Sequence, residues 1–392
     1  MSPRSHHACS EWFMKSYYGI EDIEKAANAR LPRIVREYIA GGASTEYTVA
    51  QNRRAFDRIT FSPRVMVDVS ERTIATTVLG QRVSMPVLPG PAGLASLVHP
   101  EGECAAARAT AAAGSIFCIS NASGYSLEQI AGAGNAPLWF QLFSCRDRTI
   151  ARQFIDRARA ARCHALILGV DLPIGGLRYR DARNGMEFPP RIRVRDLLDF
   201  AAHPRWLWNA LVVRRATMGN YVGLVDGASM GATASFLKER VLTPAVSWDD
   251  LSWLRSQWDG GLVVKGILSV PDALEAARRG ADAVVVSNHG GRQLDWLPAT
   301  LDVLPEIADA VHGRAEVLID GGVRHGADVV KALALGARAC LVARPWYWAL
   351  AAGGEAGVAR MFRVFAEEIE NVLGLIGRPR LEQLTRECLR VG

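Results

Sequence analysis

The chain of 392 residues lacks several features that mark particular protein classes. No run of about 18 apolar residues occurs, so no transmembrane helix is predicted. The first ten residues are polar and lack an apolar core, so no signal peptide is expected. No long Lys/Arg block or nucleic-acid motif is present, which argues against a nucleic-acid partner. The seven cysteines have no metal-ligand spacing, so we expect reduced thiols in a cytoplasmic setting and no metal site.

The composition is that of a globular protein. Hydrophobic residues make up 49% and charged residues 22% of the chain, which is typical of a packed core. The formal net charge of +6 suits an anionic substrate, an anionic cofactor or an acidic membrane surface. The length fits one large α/β barrel with additions, or two ordinary domains.

From residue 85 onward, short apolar segments alternate with Ala-rich segments of helical character. This alternation predicts a parallel sheet. Eight repeats predict a closed (β/α)8 TIM barrel. An open doubly wound sheet is the alternative, but the first strand lacks the Gly-x-Gly-x-x-Gly turn of a dinucleotide fold. The predicted strands are 85–90, 115–121, 137–143, 165–171, 261–266, 283–287, 316–320 and 338–342.

The pattern divides the chain into a flexible lead (1–15), an N-terminal helical cap (16–84) and the barrel (85–385). An insertion at 172–246 follows the fourth strand and holds 11 Lys/Arg against 6 Asp/Glu, a balance of +5. Its run 204–215 combines tryptophans, aliphatic residues and arginines. That composition fits a segment at a membrane interface. The alternative is a lid helix packed on the barrel mouth.

The most informative segment is 287–295, which follows the sixth predicted strand. His289 can accept a proton near neutral pH, and Arg292 can hold a carboxylate through two parallel hydrogen bonds. A basic surface turn is the plain alternative. Because catalytic groups in these barrels come from the carboxyl ends of strands, the position favours an active site for a small organic acid.

Other predicted strand ends carry charged residues that need partners. Asp171 ends an apolar strand, and a carboxylate behind His289 would stabilise its imidazolium. Lys265 ends another such strand, so it either forms a salt bridge inside the barrel or faces a cofactor.

The loops after strands seven and eight have the character of a phosphate site. Glycines in Asp320-Gly321-Gly322 let the backbone N–H groups approach an anion, and Arg324 and Arg344 add positive charge. Taken alone, this sequence could also form an ordinary turn, but barrels commonly hold phosphate at this place.

These segments, together with Lys331–Ala337, Leu31-Pro32, Tyr38–Ala43 and His99–Glu103, resemble the FMN-dependent (S)-2-hydroxy acid oxidase and dehydrogenase family. The resemblance covers residues 16–385. It implies FMN as the cofactor and oxidation of a 2-hydroxy acid to the 2-oxo acid.

The resemblance also implies roles for particular residues. His289 is the active-site base and Asp171 its partner, while Arg292, Tyr38 and Arg178 bind the substrate carboxylate. Whether His289 takes the hydroxyl proton or the Cα proton stays open. The implied FMN contacts are Ala92, Gly93, Ser120, Gln141, Lys265, Ser287, Asp320, Gly322, Arg324, Ala343 and Arg344.

Three positions depart from the family pattern. Phe143 stands where a tyrosine usually donates to the substrate carboxylate, so we expect weaker or altered substrate binding rather than inactivity. Gly169 replaces a common Thr or Ser near the flavin, and Ala343 replaces a usual glycine.

Other positions bear on the subtype. Ala122 stands where glycolate oxidases carry a bulky tryptophan, so the pocket should admit a phenyl ring, with mandelate-like substrates first and lactate second. Gly93 and the segments 178–182 and 203–206 resemble the membrane-associated lactate and mandelate dehydrogenases. They imply a membrane quinone as electron acceptor and peripheral attachment to the cytoplasmic side of a bacterial inner membrane. The family resemblance as a whole implies a homo-oligomer, often a tetramer. A soluble oxidase using oxygen and a phosphate-binding module without turnover are the alternatives.

Overall fold

Eight parallel strands form the centre of the molecule. The computed structural model describes residues 16–143, 146–186, 190–213, 217–225 and 230–391; the predicted flexible lead at 1–15 and the pair Arg214-Arg215 lie outside these ranges. We number the barrel strands β1 to β8. They are Val87–Pro89, Phe117–Ser120, Leu138–Phe143, Ala165–Gly169, Gly261–Ile267, Ala283–Val286, Glu316–Ile319 and Ala339–Val342.

The order of the strands confirms the predicted barrel. Each strand from β2 to β8 pairs in parallel with the next along the chain, and β8 returns to pair with β1. The gap between β1 and β2 is bridged by the Ser115 hydroxyl, which donates to the carbonyl of Val87 at 2.7 Å. The sheet is therefore a nearly closed cylinder whose strand ends share one rim.

Helices surround the sheet and alternate with its strands. Local sequence begins several of them: Ser126, for example, exchanges hydrogen bonds with Gln129 in a capping box at the start of the helix after β2. The helices outside the insertion are Ile20–Asn28, Arg33–Ala40, Tyr47–Asp57, Gly102–Ala112, Leu127–Ala133, Arg148–Ala160, Trp248–Gln257, Val270–Arg278, Thr300–Ala310, Gly326–Ala334 and Arg344–Leu375.

Two separate cores follow from this architecture. Strand side chains that point inward, including Trp139, Ile167 and Val285, fill the barrel interior. A short hairpin, Thr76–Val78 with Gln81–Val83, adds Val78 and Val83 to the same cluster and so covers one end of the barrel. The second core lies between the strands and the surrounding helices. At the chain ends, Ile59–Phe61 pairs antiparallel with Leu389–Val391.

The insertion at 172–246 is not a structureless loop. Its described part holds short helices and single turns. These are Tyr179–Asn184, Val194–Ala202, Pro204–Trp208, Asn209–Val213, Gly219–Tyr221, Met230–Phe236 and Leu237–Val241. Across the described residues, no helix combines the length and apolar character needed to cross a bilayer.

Two predicted strand ends are wrong in detail. Lys265 does not end β5, because the strand continues to Ile267 with a register shift between these two residues. Asp171 lies two residues beyond the end of β4 at Gly169. Ladder pairing stops where neighbouring strands diverge, and the apolar pattern of a sequence does not mark that point.

Candidate active site

His289 lies at the carboxyl end of β6 and is oriented by a carboxylate. Its Nδ1 is 3.1 Å from each side-chain oxygen of Asp171, which follows β4. The backbone of His289 is left-handed, with φ of 57°, and its N–H donates to the Ser287 hydroxyl at 3.1 Å. Because Asp171 engages Nδ1, Nε2 is the nitrogen left for a substrate.

Asp171 keeps its negative charge. Burial opposes ionisation, but the nearby His289 ring and the Lys265 ammonium outweigh burial and lower the pKa of Asp171. An ionised carboxylate behind the imidazole favours proton uptake at the far nitrogen. The pair is therefore arranged as an oriented base.

Arg292 and Arg178 lie beside His289 and form a cationic region. Arg292 donates to the carbonyls of Tyr38 at 2.8 Å and Gly41 at 2.7 Å, and its guanidinium carbon is 4.9 Å from the centre of the Tyr38 ring. Arg178 donates to the carbonyl of Arg292 at 3.2 Å. Burial and the neighbouring Arg292 charge lower the pKa of Arg178. Asp181 lies 4.0 Å from Arg178 and balances part of this charge, and the positive charge that remains suits a substrate carboxylate.

Lys265 on β5 is the centre of a buried polar group. Its Nζ lies 2.8 Å from the Ser287 hydroxyl and 2.8 Å from Oδ2 of Asp320. Burial opposes the ammonium, but Asp320 and Asp171 outweigh it and raise the pKa of Lys265. Lys265 thus forms the salt bridge that was one of its two predicted roles, and it also lines the cavity described below.

The turn after β7 brings the backbone close to the N-terminal cap. Gly321 and Gly322 have φ of 90° and 85°, and a side chain at Gly322 would meet the carbonyl oxygen of Asn52 at 2.3 Å. Only glycine fits this approach. The N–H groups of such a turn can face an anion.

The two predicted phosphate-binding arginines differ in their surroundings. Arg324 is half-buried against Trp348, and no carboxylate of the described residues lies within 4.0 Å of its guanidinium. Burial and the charge of Arg53 lower the pKa of Arg324 to about 10. Arg344 donates to three carbonyls, those of Ile39 at 3.0 Å, Gly290 at 3.1 Å and Gly41 at 2.8 Å. In this structure Arg344 therefore ties the cap to the rim.

These groups surround one cavity of about 410 Å³ at the carboxyl ends of the strands. Of the 18 predicted site residues, 16 line the cavity, and the two that do not are Asp171 and Ser287. Asp171 lies behind His289. Ser287 supports Lys265 and His289 instead of facing the cavity. The lining residues predicted from sequence are Tyr38, Ala92, Gly93, Ser120, Ala122, Gln141, Phe143, Arg178, Lys265, His289, Arg292, Asp320, Gly322, Arg324, Ala343 and Arg344.

Several lining residues were not predicted. Leu172, Met218, Leu237 and Leu242 come from the insertion, whose sequence carries no motif that would have identified them. Tyr347 also lines the cavity, and its place three residues after Arg344 was the available signal.

The cavity fits FMN by the chemistry of its lining. Asp320 has a buried oxygen, Oδ1, without a hydrogen-bond partner among the described residues, and the buried Gln141 also lines the cavity with its amide. A flavin ring edge carries the donors and acceptors that such groups need. The glycine turn and the half-buried Arg324 suit the phosphate of FMN.

Gly169 is explained by the same packing. A Cβ atom at this position would lie 3.0 Å from Nε2 of Gln141. The missing side chain therefore makes room for the Gln141 amide in the cavity wall.

The fold and the site are those of a TIM-barrel protein in which an oriented histidine and two arginines line the same cavity as a buried lysine and a glycine turn. Residues 27–391 match the family model described as FMN-dependent dehydrogenase. The chain belongs to this family, so it is an FMN-dependent enzyme of the type that acts on 2-hydroxy acids.

Individual relatives agree with this assignment. A protein of Caulobacter vibrioides named L-lactate dehydrogenase is 43% identical over 362 residues, which cover 91% of this chain and 93% of that protein. The crystal structure of the monotopic membrane protein (S)-mandelate dehydrogenase has a TM-score of 0.92 at 37% identity and covers 96% of this chain and 100% of that one. A mandelate oxidase structure has a TM-score of 0.81 at 36% identity and covers 96% and 100%.

Proposed function

We propose that this enzyme oxidises an (S)-2-hydroxy acid with an aromatic side chain, of the mandelate type, to the 2-oxo acid. The observation that carries the proposal is the shared rim: His289, which is oriented by Asp171 behind it, and Arg292 face the same cavity as Lys265 and the glycine turn. A base, a carboxylate clamp and a cofactor site within one cavity are what the reaction needs.

Each residue has a defined task in the proposed reaction. Arg292, with Tyr38 and Arg178, holds the substrate carboxylate and so orients the Cα–H bond. Nε2 of His289 takes one substrate proton, and the ionised Asp171 stabilises the resulting imidazolium. FMN, when bound, would accept the two electrons of the oxidation together with the second hydrogen that the substrate loses. Lys265, held by Asp320 and Ser287, supplies positive charge at the edge of the ring site.

The aromatic preference is supported by the apolar side of the cavity. Ala122 is small, and Phe143, Leu172, Leu237 and Leu242 line the same space. A phenyl ring would be buried among these side chains, which favours it over a methyl group. The mandelate dehydrogenase and oxidase structures named above support this substrate class.

L-lactate is the second candidate because relatives at 40–43% identity are named L-lactate dehydrogenase. The two candidates are separated by anaerobic mixing of the holoenzyme with (S)-mandelate and with L-lactate. We expect both to bleach the flavin absorbance, with the larger second-order rate constant for (S)-mandelate. A larger constant for L-lactate would reverse the preference, and no bleaching with any 2-hydroxy acid would reject the proposed function.

We further propose that the insertion attaches the enzyme to the cytoplasmic side of a bacterial inner membrane. Its exposed apolar residues support this, and basic residues such as Arg191, Arg193 and Arg205 lie among them. The exposed apolar side chains are Val194, Leu197, Leu198, Trp208, Leu211, Val212 and Val213. The name of the mandelate dehydrogenase above, a monotopic membrane protein, supports the same idea.

A membrane quinone is the proposed electron acceptor. Reduced enzyme mixed with a short-chain quinone should be reoxidised faster than enzyme mixed with dissolved oxygen. Faster reoxidation by oxygen would favour the alternative, a soluble oxidase. The homotetramer implied by the resemblance stays a prediction, which sedimentation of the purified enzyme tests.

A further inference from the structure

The loop after β1 is held at both ends by two successive aromatic residues. The indole N–H of Trp346 donates to the carbonyl of Gly90 at 3.1 Å, and the hydroxyl of Tyr347 donates to the carbonyl of Gly93. Both side chains come from the first turn of the helix Arg344–Leu375. One helix start therefore fixes the first and last residues of the loop 90–93.

The two aromatic side chains are themselves fixed. Trp346 is fully buried and Tyr347 is 5% exposed, and their ring centres lie 4.3 Å apart. Burial raises the pKa of Tyr347 well above its usual range, so the hydroxyl remains a hydrogen-bond donor.

The opposite side of Gly93 is closed by the loop after β2. A Cβ atom at Gly93 would lie 2.8 Å from both the Cβ and the carbonyl oxygen of Ala122. The N–H of Leu94 donates to that same carbonyl at 3.1 Å. Gly93 is thus confined between Ala122 on one side and the Tyr347 hydroxyl on the other.

This arrangement lies on the wall of the cavity. Ala92, Gly93 and Tyr347 line it together with Gln141 and Lys265. Glycine gives a loop more backbone freedom than any other residue, so a flat cofactor would meet a variable surface unless another group fixes the loop.

We propose that Tyr347 is a positioning residue for the FMN site: its hydroxyl holds the carbonyl of Gly93 and so keeps the loop 90–93 in the shape that contacts the ring. The inference rests on the proposed function in taking this loop as one face of the ring site. Tyr347 acts through Gly93 and needs no contact with the substrate.

The test compares two Tyr→Phe variants that each remove one phenol-to-carbonyl hydrogen bond. Tyr347→Phe removes the bond to Gly93. Tyr125→Phe is the matched control, because Tyr125 donates to the carbonyl of Pro100 at 2.7 Å and does not line the cavity. FMN dissociation constants and the visible circular dichroism of bound FMN are measured for wild type and both variants.

We expect Tyr347→Phe to raise the FMN dissociation constant about 3- to 10-fold, the effect of one lost hydrogen bond, and to change the visible circular dichroism. Tyr125→Phe should leave both unchanged, even if both variants lose thermal stability. An unchanged dissociation constant and spectrum in Tyr347→Phe would overturn the inference, and so would equal changes in the two variants. Failure of the wild type to be reduced by 2-hydroxy acids while it binds FMN would reject the proposed function but not this inference.

Discussion

The barrel rim and the insertion use their side chains in opposite ways. At the rim, polar groups such as Lys265, Asp171 and Arg292 are buried or half-buried, and each has partners at hydrogen-bond distance. In the insertion, apolar side chains such as Leu198 and Trp208 face outward. Polar groups that are fixed by packing can direct chemistry. Exposed apolar side chains instead form a surface that can contact a membrane or another protein.

The two regions nevertheless meet at the cavity. The indole N–H of Trp206 in the insertion donates to the carbonyl of Leu97 at 2.7 Å, beside the loop that follows β1. Met218 and Leu237 of the insertion line the cavity itself. The insertion is therefore both a cover for the site and an outward apolar surface, and the two interpretations made from its composition are compatible.

The rim should show the largest single effect. We expect His289→Asn to lower the rate constant of anaerobic flavin reduction about 10³-fold, because a positioned general base typically contributes 10²- to 10⁴-fold. FMN binding should remain. His312→Asn, at an exposed position, serves as the control and should leave the rate unchanged. If His289→Asn is reduced as fast as wild type, His289 is not the active-site base.

Substitutions in the insertion should instead weaken membrane binding of the enzyme and leave the rate of flavin reduction unchanged. Replacing Leu198, Trp208 and Leu211 by serine removes side chains that are 78%, 62% and 62% exposed. We expect the partition coefficient onto lipid vesicles to fall about 100-fold, because each partly inserted side chain contributes about 1 kcal/mol of binding free energy. Flavin reduction should not change.

The control for this variant lies outside the insertion. Val65, Met66 and Leu375 are also exposed, at 83%, 101% and 71%, so their replacement by serine removes comparable apolar surface elsewhere. An equal loss of vesicle binding in the control would show that the insertion is not the specific contact.

The rim is also tied to the cap by a carboxylate that is sensitive to pH. Asp295 accepts from the N–H of Thr45 at 2.9 Å, from its hydroxyl at 2.7 Å and from the N–H of Thr48 at 2.9 Å. Burial opposes the charge, but these hydrogen bonds lower the pKa of Asp295 from 3.8 to about 2. The unfolded state therefore binds the proton more readily, and the stabilisation, about 2 kcal/mol, is present above pH 3.8 and is lost as the pH falls towards 2.

Asp295→Asn tests this contribution. We expect the free energy of unfolding at pH 7 to fall by about 2 kcal/mol, and the difference from wild type to shrink as the pH is lowered. Asp259→Asn, at an exposed position, is the control. A difference between wild type and Asp295→Asn that stays constant down to pH 2 would contradict the assignment.

The smallest effect is expected where the rim departs from the family pattern. Phe143→Tyr restores a hydroxyl at the cavity wall, and we expect the dissociation constant of a 2-hydroxy acid or its 2-oxo analogue to fall about 10-fold, the lower range for a hydrogen bond to a charged acceptor. Phe143→Leu is the companion variant without a hydroxyl. Equal affinities in the tyrosine and leucine variants would mean that this position does not contact the carboxylate.

Much of the barrel could be predicted because its signals are local. Every predicted strand overlaps an observed one. The signal for a buried strand is a run of consecutive apolar residues flanked by turn residues, which can be recognised without knowledge of distant contacts. His289, Arg292 and the glycine turn were identified because they follow such runs directly. In a parallel barrel, all strand ends share one rim, so residues far apart in sequence could be placed in one site.

The contacts between side chains could not be predicted in this way. Tyr347 binds Gly93 across 254 residues, Arg344 donates to carbonyls of the cap, and Ser287 turns away from the cavity to support Lys265. The sequence by itself determined the kind of fold and which chemical groups lie at the rim of the barrel. Both follow from local properties, namely the alternation of strand and helix segments and the residues that come directly after each strand. Only the tertiary structure decided which groups touch, because rotamers and loop paths depend on packing between segments that no local pattern connects.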